Sequence, residues 1–331
     1  MSNKKVITYR DAVRQAMTDE MINDDKVFLM GEDVAVYGGA FGTSVGMIKQ
    51  FGAQRVISTP ISEAAISGSA VGAALTGMRP IVDIMFMDFL TIAMDALINQ
   101  AAKTRYMFGG VGQVPLTIRA SGGAGTGAAA QHSQSLESWF TYIPGIKVVA
   151  PGTVNDVYHL LRASIRDNNP VLFMEVKAQY GMKGEVDFDD VEAAQLGKAK
   201  VLVEGEDVTI VTYGSMVVRC LEAAKELKEQ GINAEVVDVR CLKPLDLTTI
   251  LASIKKTSRV VLVNEGHKTS GFIGEISACI SESDAIFYLD APIKRVAAFD
   301  VPIPYSKELE FYVIPDVKRI KEAVREVVVD E

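Results

Sequence analysis

The sequence predicts an α/β chain of two domains, each built on a mostly parallel sheet, and three observations predict it. Its 331 residues exceed the size at which a single hydrophobic core usually stops growing. Short β-branched apolar runs alternate with longer helical patterns, as expected of strands joined by crossover helices. That alternation breaks at a polar, acidic stretch over 183–190 and near Leu196-Gly197-Lys198, then restarts. Domains are therefore expected over 1–190 and 191–331.

In chain order, a helix is expected over 8–23, followed by a strand at Val27-Phe28-Leu29-Met30 closed by Gly31. The run Arg55-Val56-Ile57-Ser58 reads as the next strand. It leads through Thr59-Pro60-Ile61-Ser62-Glu63 into a helix in which Ser62 is the N-cap and Glu63 the first residue. Residues 64–75 of that helix are nearly free of charge, so a buried helix with a carboxylate at its tip is predicted. Glu63 could do no more than complement the helix dipole, worth about 0.3–1 kcal/mol. Arg79-Pro80 reads as a turn before a strand over 81–86, and a long helix is expected over 88–106. Strands over 114–119, 147–150 and 171–175 complete the first domain, with a helix over 154–166. In the second, strands over 208–214, 234–239 and 259–263 alternate with helices, the first of them over 215–230.

Composition excludes several function classes. A formal charge of −8, a pI near 5.1 and the lack of a Lys/Arg cluster argue against nucleic acid as a partner. Cys220, Cys241 and Cys279 lie far apart, as small core residues in a reducing compartment would. The start, Met1-Ser2-Asn3-Lys4-Lys5-Val6, lacks a long apolar run, so a cytoplasmic protein is expected. The most apolar window, 81–98, is interrupted by Asp83, Asp88 and Asp95, which argues against a membrane span. A mean hydropathy of +0.18 is high for so acidic a chain and hints at a subunit interface.

The chain has three histidines. His159 sits in a helical pattern with no acid or thiol beside it and reads as structural. His132 ends a loop of small residues, Ser121 through Ala130 and then Gln131-His132, that brings backbone close to whatever the imidazole faces. It is the stronger candidate for chemistry. His267 follows Asn264-Glu265-Gly266 at a strand end, where ligands commonly bind in α/β domains. Gly125-Thr126-Gly127-Ala128-Ala129-Ala130 matches the dinucleotide fingerprint G-x-G-x-x-A, but no acid stands at the end of the next strand, 147–150. A single-chain NAD oxidoreductase is the alternative that this match leaves open. Phosphate-loop, serine-hydrolase and zinc-protease motifs are absent from the sequence.

Thr59-Pro60-Ile61-Ser62-Glu63 and Ala129-Ala130-Gln131-His132-Ser133-Gln134 together resemble the β subunit of the thiamine-diphosphate-dependent first component of 2-oxo acid and acetoin dehydrogenase complexes. The likeness extends through Gly31-Glu32-Asp33-Val34, Gly77-Met78-Arg79-Pro80, Asn99-Gln100-Ala101-Ala102-Lys103, Arg166-Asp167-Asn168-Asn169-Pro170 and Asp290-Ala291-Pro292-Ile293-Lys294-Arg295. It implies a transketolase-like pyrimidine-binding domain followed by a smaller transketolase C-terminal-like domain. It further implies that Glu63 bonds the N1′ atom of the cofactor's aminopyrimidine, that Phe89 packs on that ring, and that Glu32 lies near the active centre. His132 then assists the carbonyl chemistry or the handover of the acyl group to lipoyl-lysine. Potassium, where relatives bind it, would meet the backbone carbonyls of Leu116, Ser164, Asp167 and Asn169. The chain lacks the Gly-Asp-Gly segment with which such enzymes hold Mg²⁺ and the diphosphate. The resemblance assigns that end of thiamine diphosphate to an α subunit in an α2β2 assembly, working with a lipoyl-bearing acyltransferase core. Arg105-Tyr106-Met107-Phe108-Gly109-Gly110 and residues 83–89 are more similar to acetoin-type than to pyruvate-type subunits. A non-catalytic scaffold subunit is the third reading.

Overall fold

A computed structural model of the chain describes residues 3–190 and 192–328. Met1 and Ser2, part of the stretch behind the cytoplasmic expectation, and Val191, at the expected domain boundary, lie outside the described residues. Two compact units form, one of Met1–Gly122 with Trp139–Leu196, the other of Gly123–Ser138 with Gly197–Glu331. The loop that carries His132 thus belongs to the second unit.

The first unit holds strands β1 (Lys4–Thr8), β2 (Val27–Glu32), β3 (Val56–Thr59), β4 (Arg79–Ile84), β5 (Thr117–Gly122), β6 (Lys147–Val149), β7 (Val171–Val176) and β8 (Lys183–Asp187). Within it β2 to β7 run parallel in the order β6-β7-β5-β4-β2-β3. Helices in the first half of the chain are α1 (Tyr9–Asn23), α2 (Met47–Phe51), α3 (Glu63–Leu75), α4 (Leu90–Met94), α5 (Ala102–Met107), α6 (Glu137–Thr141) and α7 (Val154–Arg166). Thr8 caps α1 by accepting the Asp11 N–H at 3.1 Å, and the buried Ala12, Val13, Ala16 and Met17 recur at helical spacing. The strands are apolar because both faces of a parallel sheet are covered.

Four expectations need correction here. Arg79 and Pro80 lie within β4; the reversal is made by Thr76 and Gly77, the latter at φ 94°. Pairing of β4 with β5 begins at Ile81, so the missing N–H of Pro80 leaves that ladder intact. The single helix expected over 88–106 is a 3-10 turn (Met87–Phe89), α4, a π-helical segment (Asp95–Ala101) and α5. Hydrophobic periodicity runs through such a change of hydrogen-bond pattern without marking it. The stretch over 183–190 is no linker: β8 pairs antiparallel with β1 from Lys4↔Asp187 to Thr8↔Lys183, and Lys4 reaches Glu185 at 2.9 Å. A half-exposed ribbon needs little apolar surface, so its composition mimics a linker. Finally, α3 buries only Glu63, Ile66, Ser67, Ala70, Val71 and Ala74, leaving Ala64, Ala65, Gly68, Ser69 and Gly72 exposed.

The second unit holds β9 (Lys200–Val203), β10 (Val208–Thr212), β11 (Ala234–Asp238), β12 (Cys241–Lys243), β13 (Val260–His267) and β14 (Lys294–Ala298). Its sheet runs β14-β13-β10-β11-β9, parallel except for β9. Helices α8 (Met216–Lys228), α9 (Leu247–Thr257), α10 (Phe272–Ser281), α11 (Lys307–Val313) and α12 (Val317–Val328) accompany it. Cys220 of α8 packs with Ile210, Val236, Val261, Ile320 and Val324 in its core. Cys241 is buried as well, but Cys279 is only half-buried on α10 and is not a core residue. Among the described residues no helix is long and apolar enough to cross a membrane.

Candidate active site

The carboxyl ends of the parallel strands in the first unit gather its predicted site residues. Ser62 accepts the Ala65 N–H at 3.4 Å and so starts α3 at Glu63, which is only 5% exposed. The Glu63 carboxylate forms no hydrogen bond or ion pair with any described residue. Glu32 ends β2, whose Glu32 pairs with Thr59 of β3. Burial, then the nearby carboxylates Glu63, Asp33 and Asp83, push the Glu32 carboxyl above its usual range. Glu32 and Glu63 are thus brought together. Phe89 follows at the end of an aromatic series: Tyr9 edges Tyr180, Tyr180 stacks on Phe41 at 5.0 Å, Phe41 edges Phe86, and Phe86 edges Phe89 at 5.9 Å. Gly31 is required beneath them, since a Cβ there would stand 2.7 Å from the Asp83 carbonyl oxygen.

Behind this group lies an ion cluster that the sequence reading missed. The Arg119 side chain is 2% exposed, with Nε at 2.6 Å from Glu175 Oε1, Nη2 at 3.0 Å from Oε2, and Nη1 at 3.1 Å from Asp83 Oδ2. The Tyr180 hydroxyl donates to Glu175 at 2.6 Å. Parallel register puts Asp83 of β4 beside Arg119 of β5. Single charged residues inside otherwise apolar strands were the available signal.

His132 lies in the second unit, on a loop closed at its base by the Gly123 N–H donating to the Gln134 carbonyl at 3.3 Å. Glu265 of β13 accepts the Ala124 N–H at 2.5 Å; Glu310 of α11 accepts those of Gly125 at 2.7 Å and Gly127 at 3.0 Å. The amides that would meet a dinucleotide's phosphates are thus taken by protein carboxylates, and the NAD reading of this fingerprint falls. No sequence signal pointed to Glu310. His267 hydrogen-bonds the Phe299 carbonyl through Nδ1 at 2.8 Å and lines a cavity of about 490 Å³ with Ala130, Gln134, Asp300 and Ile303.

His159 is buried, with Nε2 2.8 Å from the Asp187 carbonyl oxygen, and burial pushes its pKa down. It is a structural residue. Near the other predicted positions, the carbonyls of Leu116 and Ser164 accept the N–H groups of Val171 and Asp167, and Arg79 donates to the Asp167 carbonyl at 3.2 Å. The Asp167 carboxylate pairs with Lys147.

The transketolase pyrimidine-binding domain family matches residues 5–183, and the transketolase C-terminal domain family matches residues 197–320. The chain is 48% identical over 321 residues to the pyruvate dehydrogenase E1 component subunit beta of Rickettsia bellii, spanning 97% of this chain and 98% of that one. It is 45% identical over 329 residues to the mitochondrial counterpart from Saccharomyces cerevisiae, spanning 98% and 90%. Identity is also 45% over 328 residues to the acetoin:2,6-dichlorophenolindophenol oxidoreductase subunit beta of Bacillus subtilis, spanning 96% and 95%. Among solved structures, a split-gene transketolase described as an inactive beta4 tetramer shares the fold, with a TM-score of 0.80 and 23% identity over 97% of this chain and 98% of that one. The chain belongs to the family of dehydrogenase β subunits, built of transketolase pyrimidine-binding and C-terminal domains, that includes those of pyruvate dehydrogenase E1 and acetoin oxidoreductase.

Proposed function

We propose that this chain is the β subunit of a thiamine-diphosphate-dependent dehydrogenase component that cleaves acetoin, or decarboxylates pyruvate or a related 2-oxo acid, and passes the acyl group to lipoyl-lysine of an acyltransferase core. One observation carries the reading: Glu63 is a buried carboxylate at the first residue of a helix with no partner among the described residues. A buried charge without a partner is costly. A protonated ring nitrogen of a bound heterocycle would satisfy it, so the residues present fit the pyrimidine end of this cofactor.

When bound, thiamine diphosphate supplies an acidic thiazolium carbon and an electron sink for breaking the bond beside a carbonyl. Glu63 holds and shares a proton at N1′, which tunes the basicity of the ring. Phe89, oriented edge-on by Phe86, offers the pyrimidine an apolar face. Glu32 lies beside Glu63 as a second carboxyl that retains its proton more readily than usual. His132 moves a proton at the substrate carbonyl or at the departing acyl group. The diphosphate and its Mg²⁺ fall to an α subunit in an α2β2 assembly, and the exposed, uncharged face of α3 supports such a covering chain. Potassium would use the carbonyl oxygens of Leu116, Ser164, Asp167 and Asn169. Replacing potassium by tetramethylammonium should then lower the melting temperature, and an unchanged value removes the ion from the proposal.

Co-expression with an α subunit tests the whole reading. Glu63→Gln should lower turnover at least about a hundredfold with assembly intact. Full activity in that variant would dismiss the role of Glu63. A parent complex that binds the acyltransferase core but turns over no acetoin, pyruvate or branched-chain 2-oxo acid would leave only the scaffold role.

A further inference from the structure

We propose that Glu310 is a positioning residue: a built-in anion that fills the backbone cradle of the glycine loop and thereby sets the place of His132. The inference rests on the reading of His132 given above only where it touches turnover.

Positive φ angles at Gly125 (100°) and Gly127 (67°) bend the loop so that the N–H groups of these two glycines meet at one anion. Here the anion is part of the chain. Glu310 is 0% exposed, its two oxygens each take one glycine N–H, and no described side chain pairs with it. Its charge is therefore balanced by backbone amides, and their hydrogen bonds are of the stronger, charge-assisted kind. Ala124, next to Gly125, enters an apolar cluster with Ala298, Ile303, Val313 and Ile314, which anchors this end of the clasp. Glu265 fixes the same loop one residue earlier, and a Cβ at Gly123 would stand 2.5 Å from its Oε1.

Only residues 128–131 separate the clasp from His132, and they form a turn closed by the His132 N–H donating to the Ala129 carbonyl at 3.3 Å. The far side is tied by the Gly123–Gln134 hydrogen bond at 3.3 Å. A shift at Gly127 has little slack in which to dissipate, so it reaches the imidazole. An asparagine or glutamine amide cannot replace the carboxylate, because its NH₂ group would face one of the two N–H donors.

Two measurements on the full chain test this without reference to turnover. In the parent, hydrogen exchange at Ala124, Gly125 and Gly127 should be slow, and Glu310→Gln should speed it at least about tenfold. Selective ¹³C labelling of histidine gives one ring signal from each of the three histidines. Glu310→Gln should move the His132 signal, assigned by its loss in His132→Ala, while the His159 signal stays. Fast exchange of these amides in the parent overturns the clasp. An unmoved His132 signal, or equal movement of the His159 signal, overturns the positioning role. A parent complex without thiamine-diphosphate-dependent activity would sink the functional reading and leave both measurements standing.

Discussion

Glu63 and Glu32 show how little a residue's identity says about its work until its neighbours are fixed. Ser62 before Glu63 was a legible cap, and the helix begins where that cap places it. Its lack of a partner among the described residues was not legible, because partners of a buried group come from distant strands. Glu32 bears a consequence for stability. Its carboxyl sits above the ordinary value of 4.5, chiefly through burial and then through Glu63. The folded chain therefore binds that proton more tightly than the unfolded chain does, and stability is lost as pH rises from the ordinary value through the raised one. Glu32→Gln removes this titration. The variant should melt above the parent at neutral pH, and the difference should close below about pH 4, where both side chains are neutral. Thermal melts across that range check the direction; a variant that melts lower at neutral pH contradicts it.

At the scale of elements, α7 over Val154–Arg166 and α3 over Glu63–Leu75 match their expected spans, because caps and periodicity are local signals. The π-helical segment Asp95–Ala101 and the β1–β8 ribbon were misread, because an altered ladder and a half-exposed strand leave no mark in hydrophobic pattern. Small residues misled differently on α3: low charge suggested burial, yet Gly68 and Gly72 face outward, and a Cβ added at either meets nothing within 4 Å. A bulky side chain there costs this chain nothing in packing and adds helix propensity over glycine. Gly68→Trp should thus leave the melting temperature of the isolated chain unchanged or raised. The same variant should fail to co-purify with an α subunit if that face is covered in the assembly. Co-purification at parental yield would place the α subunit elsewhere.

For the molecule as a whole, Glu32, Glu63 and Phe89 lie on the first unit and His132 on the second. A cofactor gripped only at its pyrimidine end loses the charged contacts that dominate the binding of a diphosphate. By calorimetry, the isolated chain should bind thiamine diphosphate at least about tenfold more weakly than the same chain with an α subunit and Mg²⁺. Equal affinities would show that this chain holds the diphosphate itself. The sequence alone determined the α/β class, most strand and helix positions, and Glu63 and His132 as candidates. Those depend on periodicity, caps and motif spacing, which are properties of neighbouring residues. Only the tertiary structure decided that the His132 loop joins the second unit, that Arg119 meets Asp83 and Glu175, and that Glu310 fills the glycine loop. These are pairings of groups up to 185 residues apart, brought together by sheet register and chain crossover rather than by local pattern.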